Sequence, residues 1–138
     1  MLLPYTVLSH TADTGIEATA ASFPELLCEL ATGMFELMGR PQPGSADRAV
    51  TVEVESTDNR ELVVDTLSEL IYQSEVEDLF FYRFDIATTG PLGVRVTATG
   101  VGNTAVELVG PPIKAVTYHD VAAVETEAGW YGRVYFDV

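Results

Sequence analysis

The chain has 138 residues, 47% hydrophobic and 20% charged, which is the size and composition of one globular domain (residues 1–138) around a single core. No apolar run approaches the ~20 residues of a membrane span, and Met1 to Pro4 carries neither the basic flank nor the apolar stretch of an export signal, so a cytoplasmic protein without membrane association is expected. Lys+Arg 7 against Asp+Glu 21 gives a formal net charge of -14, whose field repels phosphate backbones and argues against direct nucleic-acid binding.

Along the chain, Tyr5 to Ser9 and Ile16 to Ala20 alternate with the period of two expected of strands, and they flank the polar turn Thr11-Ala12-Asp13-Thr14-Gly15. Ser22 with Glu25 three residues on is a capping box, and Pro24 suits a first helical turn. Phe23, Leu26, Leu27, Leu30, Ala31, Met34, Phe35 and Met38 then recur at helical spacing and form one apolar stripe. Cys28, the sole cysteine, lies in this pattern and reads as a small core residue rather than a nucleophile. Gly39 to Ser45, with two prolines, reads as a loop.

A strand with one solvated face follows, in which Val50, Val52 and Val54 alternate with polar residues. Asp58 and Glu61 repeat the capping pattern and open a second helix, with Val63, Leu67, Leu70, Ile71 and Ser74 inward, to about Gln73. Glu75, Glu77 and Asp78 read as a solvated acidic turn. Beyond Phe80 the pattern is β throughout: 80–88, 94–99, 106–109, 114–118, 121–126 and 130–137. This order predicts an α+β fold, two amphipathic helices packed on a mainly antiparallel sheet.

Residues with chemical potential are few. Asp13 stands beside His10 in the first turn, and Asp137 precedes Val138 on the polar side of the 130–138 strand. Two Asp carboxylates with a carboxylate or carbonyl oxygen at Val138 suit Ca²⁺, Mg²⁺ or Mn²⁺. The same residues also fit the plainer roles of a turn cap and a solvated strand end, and spacing does not choose between them. His10 and His119 each follow an alternating run, fit either a general base or a hydrogen-bonded strand end, and have no partners at zinc-site spacing. Lys114, the only lysine, reads as an exposed strand-edge residue. An enzyme, such as a metal-dependent hydrolase, would need Asp13, Asp137 and His10 to converge on a substrate. No phosphate-binding loop, nucleophile elbow or basic patch is present.

His10-Thr11-Ala12-Asp13-Thr14-Gly15-Ile16 resembles the archease pattern, a strand ending in HTAD followed by a glycine and an apolar residue. The likeness continues in Gly33-Met34-Phe35-Glu36-Leu37-Met38, in Leu67 to Tyr72, in Phe80 to Phe84, in Lys114-Ala115-Val116-Thr117-Tyr118-His119 and in Phe136-Asp137-Val138, in family order over nearly the whole chain. The resemblance implies an accessory protein, not an enzyme. It would activate an RtcB-type tRNA-splicing ligase, which joins RNA ends through a guanylylated histidine, by promoting guanylylation and multiple turnover. It further implies a divalent cation, calcium in the family's pattern, held by Asp13, Asp137 and Val138, and a part in activation for Lys114. The alternative implied role is a chaperone or modulator of tRNA-modifying enzymes such as an RNA methyltransferase. The chain departs from the pattern in Gly100 to Pro112, which is shorter and less charged than a polar insert seen in other members, and at Asp65, where Asn or an aromatic is more usual.

Overall fold

Both helices begin where the local chemistry sets them. In the computed structural model, which describes residues 4–9 and 14–138, Ser22 Oγ accepts the Glu25 amide at 3.3 Å and Asp58 Oδ1 accepts the Glu61 amide at 2.8 Å. Glu25 and Glu61 reach back to the amides of Ala21 and Thr57, so each helix start satisfies donors the helix itself cannot.

Among the described residues the element order is β1 (Tyr5–Ser9), β2 (Thr14–Ala20), α1 (Phe23–Met38), β3 (Gly39–Pro41), β4 (Asp47–Glu55), α2 (Asn59–Glu77), β5 (Leu79–Gly90), β6 (Gly93–Gly102), a 3-10 turn at Asn103–Ala105, β7 (Val106–Leu108), β8 (Ala115–Thr126) and β9 (Gly129–Asp137). The strands form three ladders, β1-β2-β9-β8, β3-β7 and β4-β6-β5, in which every pairing is antiparallel. This is the expected α+β class, with the strands shared among three ladders rather than one sheet.

Each helix touches both larger sheets: α1 packs on β2, β9 and β5, and α2 on β8, β4 and β5. The expected stripe of α1 is buried from Phe23 to Phe35, with Gly33 added where the helix meets the Tyr5 ring and Met38 only half-buried. Phe35 sits at the centre, its ring 5.5 Å from Phe80 and 5.7 Å from both Phe81 and Phe84, and fully burying such a ring is worth roughly 1.5–3 kcal/mol. In α2, Leu62, Val64 and Thr66 join Val63, Leu67 and Leu70 inside, more than half the helix circumference, because two sheets flank it. Ser74 is part-buried and donates to the Leu79 carbonyl.

Four local expectations are corrected. Gly39–Pro41 is a short strand, not loop, because β7 pairs with it. Helix α2 continues to Glu77, so Glu75 and Glu77 belong to its last turn, and Asp78 closes it in the left-handed region at φ 54. The two strands expected at 114–118 and 121–126 are one, β8, which starts at Ala115 and is interrupted by a bulge. Cys28, expected in the core, is half-buried at its margin, with its thiol donating to the Phe84 carbonyl at 3.4 Å, and burial pushes its pKa up.

Candidate functional site

The four-stranded sheet brings three of the sequence's candidate residues to one end. β2 and β9 pair from Ala20↔Trp130 to Thr14↔Phe136, and β8 joins the other side of β9 with Ala115 opposite Asp137. The Lys114 amide donates to the Asp137 carbonyl at 2.8 Å, which draws Lys114 level with the Asp137–Val138 end. Lys114, Asp137 and Val138 are all exposed there. His10 and Asp13 lie outside the described residues; Thr14, to which Asp13 is joined, is the β2 residue paired with Phe136. Among the described residues, no three His, Cys, Asp or Glu side chains are grouped to hold a metal ion, and the Asp137 carboxylate has no hydrogen bond or ion pair.

Gly15 belongs to this end for a steric reason. Its cross-strand partner Tyr135 leans over it, so that a Cβ on Gly15 would lie 2.5 Å from Tyr135 Cδ1 and 2.9 Å from the Val134 carbonyl. Tyr135 is thereby 9% exposed although it stands on the side of the sheet away from the helices. The His119 ring approaches it with centroids 6.5 Å apart. His119 is therefore tied to the same end of the sheet as Asp137.

The β8 bulge, which the sequence pattern showed only as a gap between two strands, separates Thr117↔Tyr135 from Ala122↔Arg133, so Tyr118 to Val121 oppose Val134 alone. On the helix side, Tyr118 donates to Asp65 Oδ1 at 2.7 Å, and the other carboxylate oxygen accepts from Ser56 at 2.6 Å. The bond to Asp65 is the main reason the Tyr118 phenol titrates above its ordinary range. On the opposite side, Arg133 Nε donates to the Asp120 carbonyl at 2.9 Å, and its Nη1 donates to the Tyr131 oxygen at 3.5 Å. Tyr131 in turn donates to Glu17 at 2.7 Å, with burial the larger cause of its raised pKa and Glu17 the second. Asp120 takes φ 53, and its carboxylate meets His119 Nε2 at 3.2 Å. Asp65 had stood out in the sequence as an unusual residue; its partner is 53 positions away, so spacing could not find it.

Among the described residues, this end of the sheet offers a lysine, carboxylates and an imidazole on an acidic surface. The space lined by Asp58, Arg60, Glu61, Tyr118 and Val121 is about 150 Å³, below the ~300 Å³ at which small-molecule sites begin. Such a surface suits contact with a macromolecule. No helix among the described residues is long and apolar enough to cross a membrane.

The model of the Archease protein family (MTH1598/TM1083) matches residues 5–138. Archeases of Methanosarcina barkeri and Methanopyrus kandleri are 32% and 26% identical to this chain, over 97% and 99% of it and 95% and 100% of their own lengths. The solution structure of Methanobacterium thermoautotrophicum protein 1598 superimposes with a TM-score of 0.74 at 24% identity, covering 99% of this chain and all of that one. The crystal structure of an archease from Thermotoga maritima, described as a possible chaperone, gives 0.67 at 22% identity, covering 95% of this chain and 94% of its own. These two establish a shared fold. With the family pattern running from the first strand to the last, the chain belongs to the archease family.

Proposed function

We propose that this protein is an accessory factor that activates an RtcB-type RNA ligase, promoting guanylylation of the ligase and its multiple turnover in tRNA splicing. The observation that carries the reading is the convergence of Lys114, Asp137 and Val138 at one sheet end, fixed by the Lys114–Asp137 main-chain bond. An exposed ammonium there is free to reach a carboxylate or a nucleotide phosphate on the ligase, which performs the chemistry. The net charge of -14 suits docking on a protein partner better than gripping RNA.

The described donors at this end are oxygens, the exposed Asp137 carboxylate and the main-chain oxygen of Val138, and the family pattern adds Asp13, which lies outside the described residues. That chemistry fits a hard divalent cation, Ca²⁺ first and Mg²⁺ or Mn²⁺ next. Bound there, the cation supplies a positive centre on an otherwise acidic face. The chain's own contribution is positional: β8 and β9 hold Lys114 and Asp137 in register, and Tyr135 over Gly15 fixes the adjoining start of β2.

The test is guanylylation and multiple-turnover RNA joining by the cognate ligase, with and without this protein, and with Asp13→Ala, Asp137→Ala and Lys114→Ala. Stimulation by the parent chain that is lost in folded variants supports the reading. A ligase that turns over equally well alone refutes it, and co-purification then decides whether a tRNA-modifying enzyme, such as an RNA methyltransferase, is the client.

A further inference from the structure

We infer that Met38 is a reversible oxidation site, and that its sulfoxide releases the short bridge of chain leading to Lys114. Control of activation by this route rests on the reading that Lys114 serves the ligase; the oxidation site itself does not.

The bridge is defined by where its donors go. Val109 and Gly110 donate their amides to the Met38 carbonyl at 3.0 and 3.4 Å, which lays the chain on the C-terminal end of α1. The approach is so close that a Cβ on Gly110 would collide with the Leu37 carbonyl oxygen. Four residues on, the Lys114 amide is fixed to the Asp137 carbonyl at 2.8 Å. Between these anchors run Pro111, Pro112 and Ile113. Proline has no N–H, so the Ile113 amide is the only main-chain donor in the bridge. It donates to Met38 Sδ at 3.3 Å. Thioether sulfur is a weak acceptor, and it is the one acceptor in this set that mild oxidation alters.

Met38 is also the described methionine that an oxidant can reach. It is half-buried, whereas Met34, one turn earlier, is 0% exposed. Met38 and Ile113 both line a surface cavity of about 180 Å³, with Phe35, Ile71 and Pro112 among its walls. That is several times the ~30 Å³ of one water, so hydrogen peroxide fits. In the reaction a sulfur lone pair attacks the peroxide and the O–O bond breaks. One oxygen stays on sulfur and the other leaves with both protons as water, so the thioether loses two electrons and the peroxide gains them. The sulfur then carries partial positive charge and repels the Ile113 N–H, and an oxygen added on that side has no room in the 3.3 Å gap. A bond remade to the new oxygen sets Ile113 in a different place. Because Ile113 is 5% exposed, its displacement unpacks the bridge and frees Lys114 from its register beside Asp137.

The experiment treats the folded full chain with hydrogen peroxide and reads peptide mass, amide exchange, melting temperature and stimulation of the cognate ligase. Met38 is expected to gain one oxygen while Met34 stays unmodified. Exchange at Ile113 and Lys114 should quicken on the order of tenfold, with β6 unchanged and a lower melting temperature. Methionine sulfoxide reductases of both epimer specificities should reverse these changes. Met38→Leu conserves volume and resists peroxide, so peroxide should leave its exchange unaltered, which separates the effect from oxidation at Cys28. Stimulation by the oxidised parent should fall roughly tenfold through misplacement of Lys114. Oxidation of Met34 as fast as Met38 overturns the inference, since the reagent is then reaching unfolded chain. Parent-like exchange at Ile113 and Lys114 in the oxidised protein overturns it as well. Stimulation that survives oxidation overturns the control of activation. A parent chain that never stimulates the ligase refutes the ligase reading and that control together, while mass and exchange still decide the oxidation site.

Discussion

Replacing Gly15 by alanine adds one methyl group at the point where two strands and a ring meet. The Gly15 backbone lies outside the positive-φ region, so any residue could adopt it and the cost is steric. A Cβ there stands 2.5 Å from Tyr135 Cδ1, 2.7 Å from Cε1 and 2.9 Å from the Val134 carbonyl oxygen. The ring can swing aside, but the carbonyl belongs to β9 main chain held in register with β2 at Ile16↔Val134 and cannot. Overpacking of this kind costs about 2–3 kcal/mol. For 138 residues, the usual unfolding entropy converts each kcal/mol to a shift of about 3–4 °C, so a fall of about 6–12 °C is expected in a thermal melt followed by circular dichroism. Adding Tyr135→Ala to Gly15→Ala removes the ring half of the clash. The double variant should therefore lose at least ~1 kcal/mol less than the sum of the single losses. A Gly15→Ala protein melting within 2 °C of the parent, on the order of half a kcal/mol, would refute the steric account.

Thr66 is completely buried in α2, and its hydroxyl has no hydrogen-bond partner among the described residues, so Thr66→Val should raise stability by about 1 kcal/mol in urea denaturation. Burial, and secondarily Glu36, pushes the Tyr5 phenol up to about 12, against an ordinary 10.0. Because the folded pKa is the higher one, this contribution is whole below about pH 10 and is lost as pH rises toward 12. Stability should fall across that window, and Tyr5→Phe should flatten the fall. Calcium added to chelator-treated protein should raise the melting temperature by mass action, about 2.7 kcal/mol at a hundredfold excess over Kd, and Asp137→Asn should abolish the rise.

What the sequence made legible was local. Ser22/Glu25 and Asp58/Glu61 placed both helix starts because a cap is decided within four residues. The stripe from Phe23 to Phe35 was readable because one helix face meets a continuous core. Apart from the local misreading of the α2 end, the main failures were contacts between distant segments. Gly39 and Pro41 look like loop residues until Leu108 and Val106 pair with them. Leu62, Val64 and Thr66 look off-stripe until a second sheet lies over α2. The candidate site divides in the same way. Lys114 and Asp137 could be nominated singly, and their juxtaposition depends on β8 and β9 pairing in one register. The bulge showed only as a break in the pattern between 118 and 121, and its clamps did not show at all, since Tyr118 and Arg133 act on elements the sequence does not show as neighbours. His10 and Asp13, nominated with the others, lie outside the described residues.

The β2–β9 ladder has a consequence for how the molecule reaches its working form. It joins Thr14–Ala20 to Trp130–Phe136, segments from opposite ends of the sequence, in the middle of the sheet that displays Lys114 and Asp137. Pairing at such separation incurs its loop-closure entropy before any contact repays it, which places it late and sets folding on a millisecond-to-second scale. Until then Ile16, Val134 and Phe136, all 0% exposed in the folded chain, have no cover, and Lys114 has no Asp137 beside it. On the proposed role, a partner reading this end would engage only molecules whose longest-range pairing is complete, and nascent or misregistered chains would be passed over.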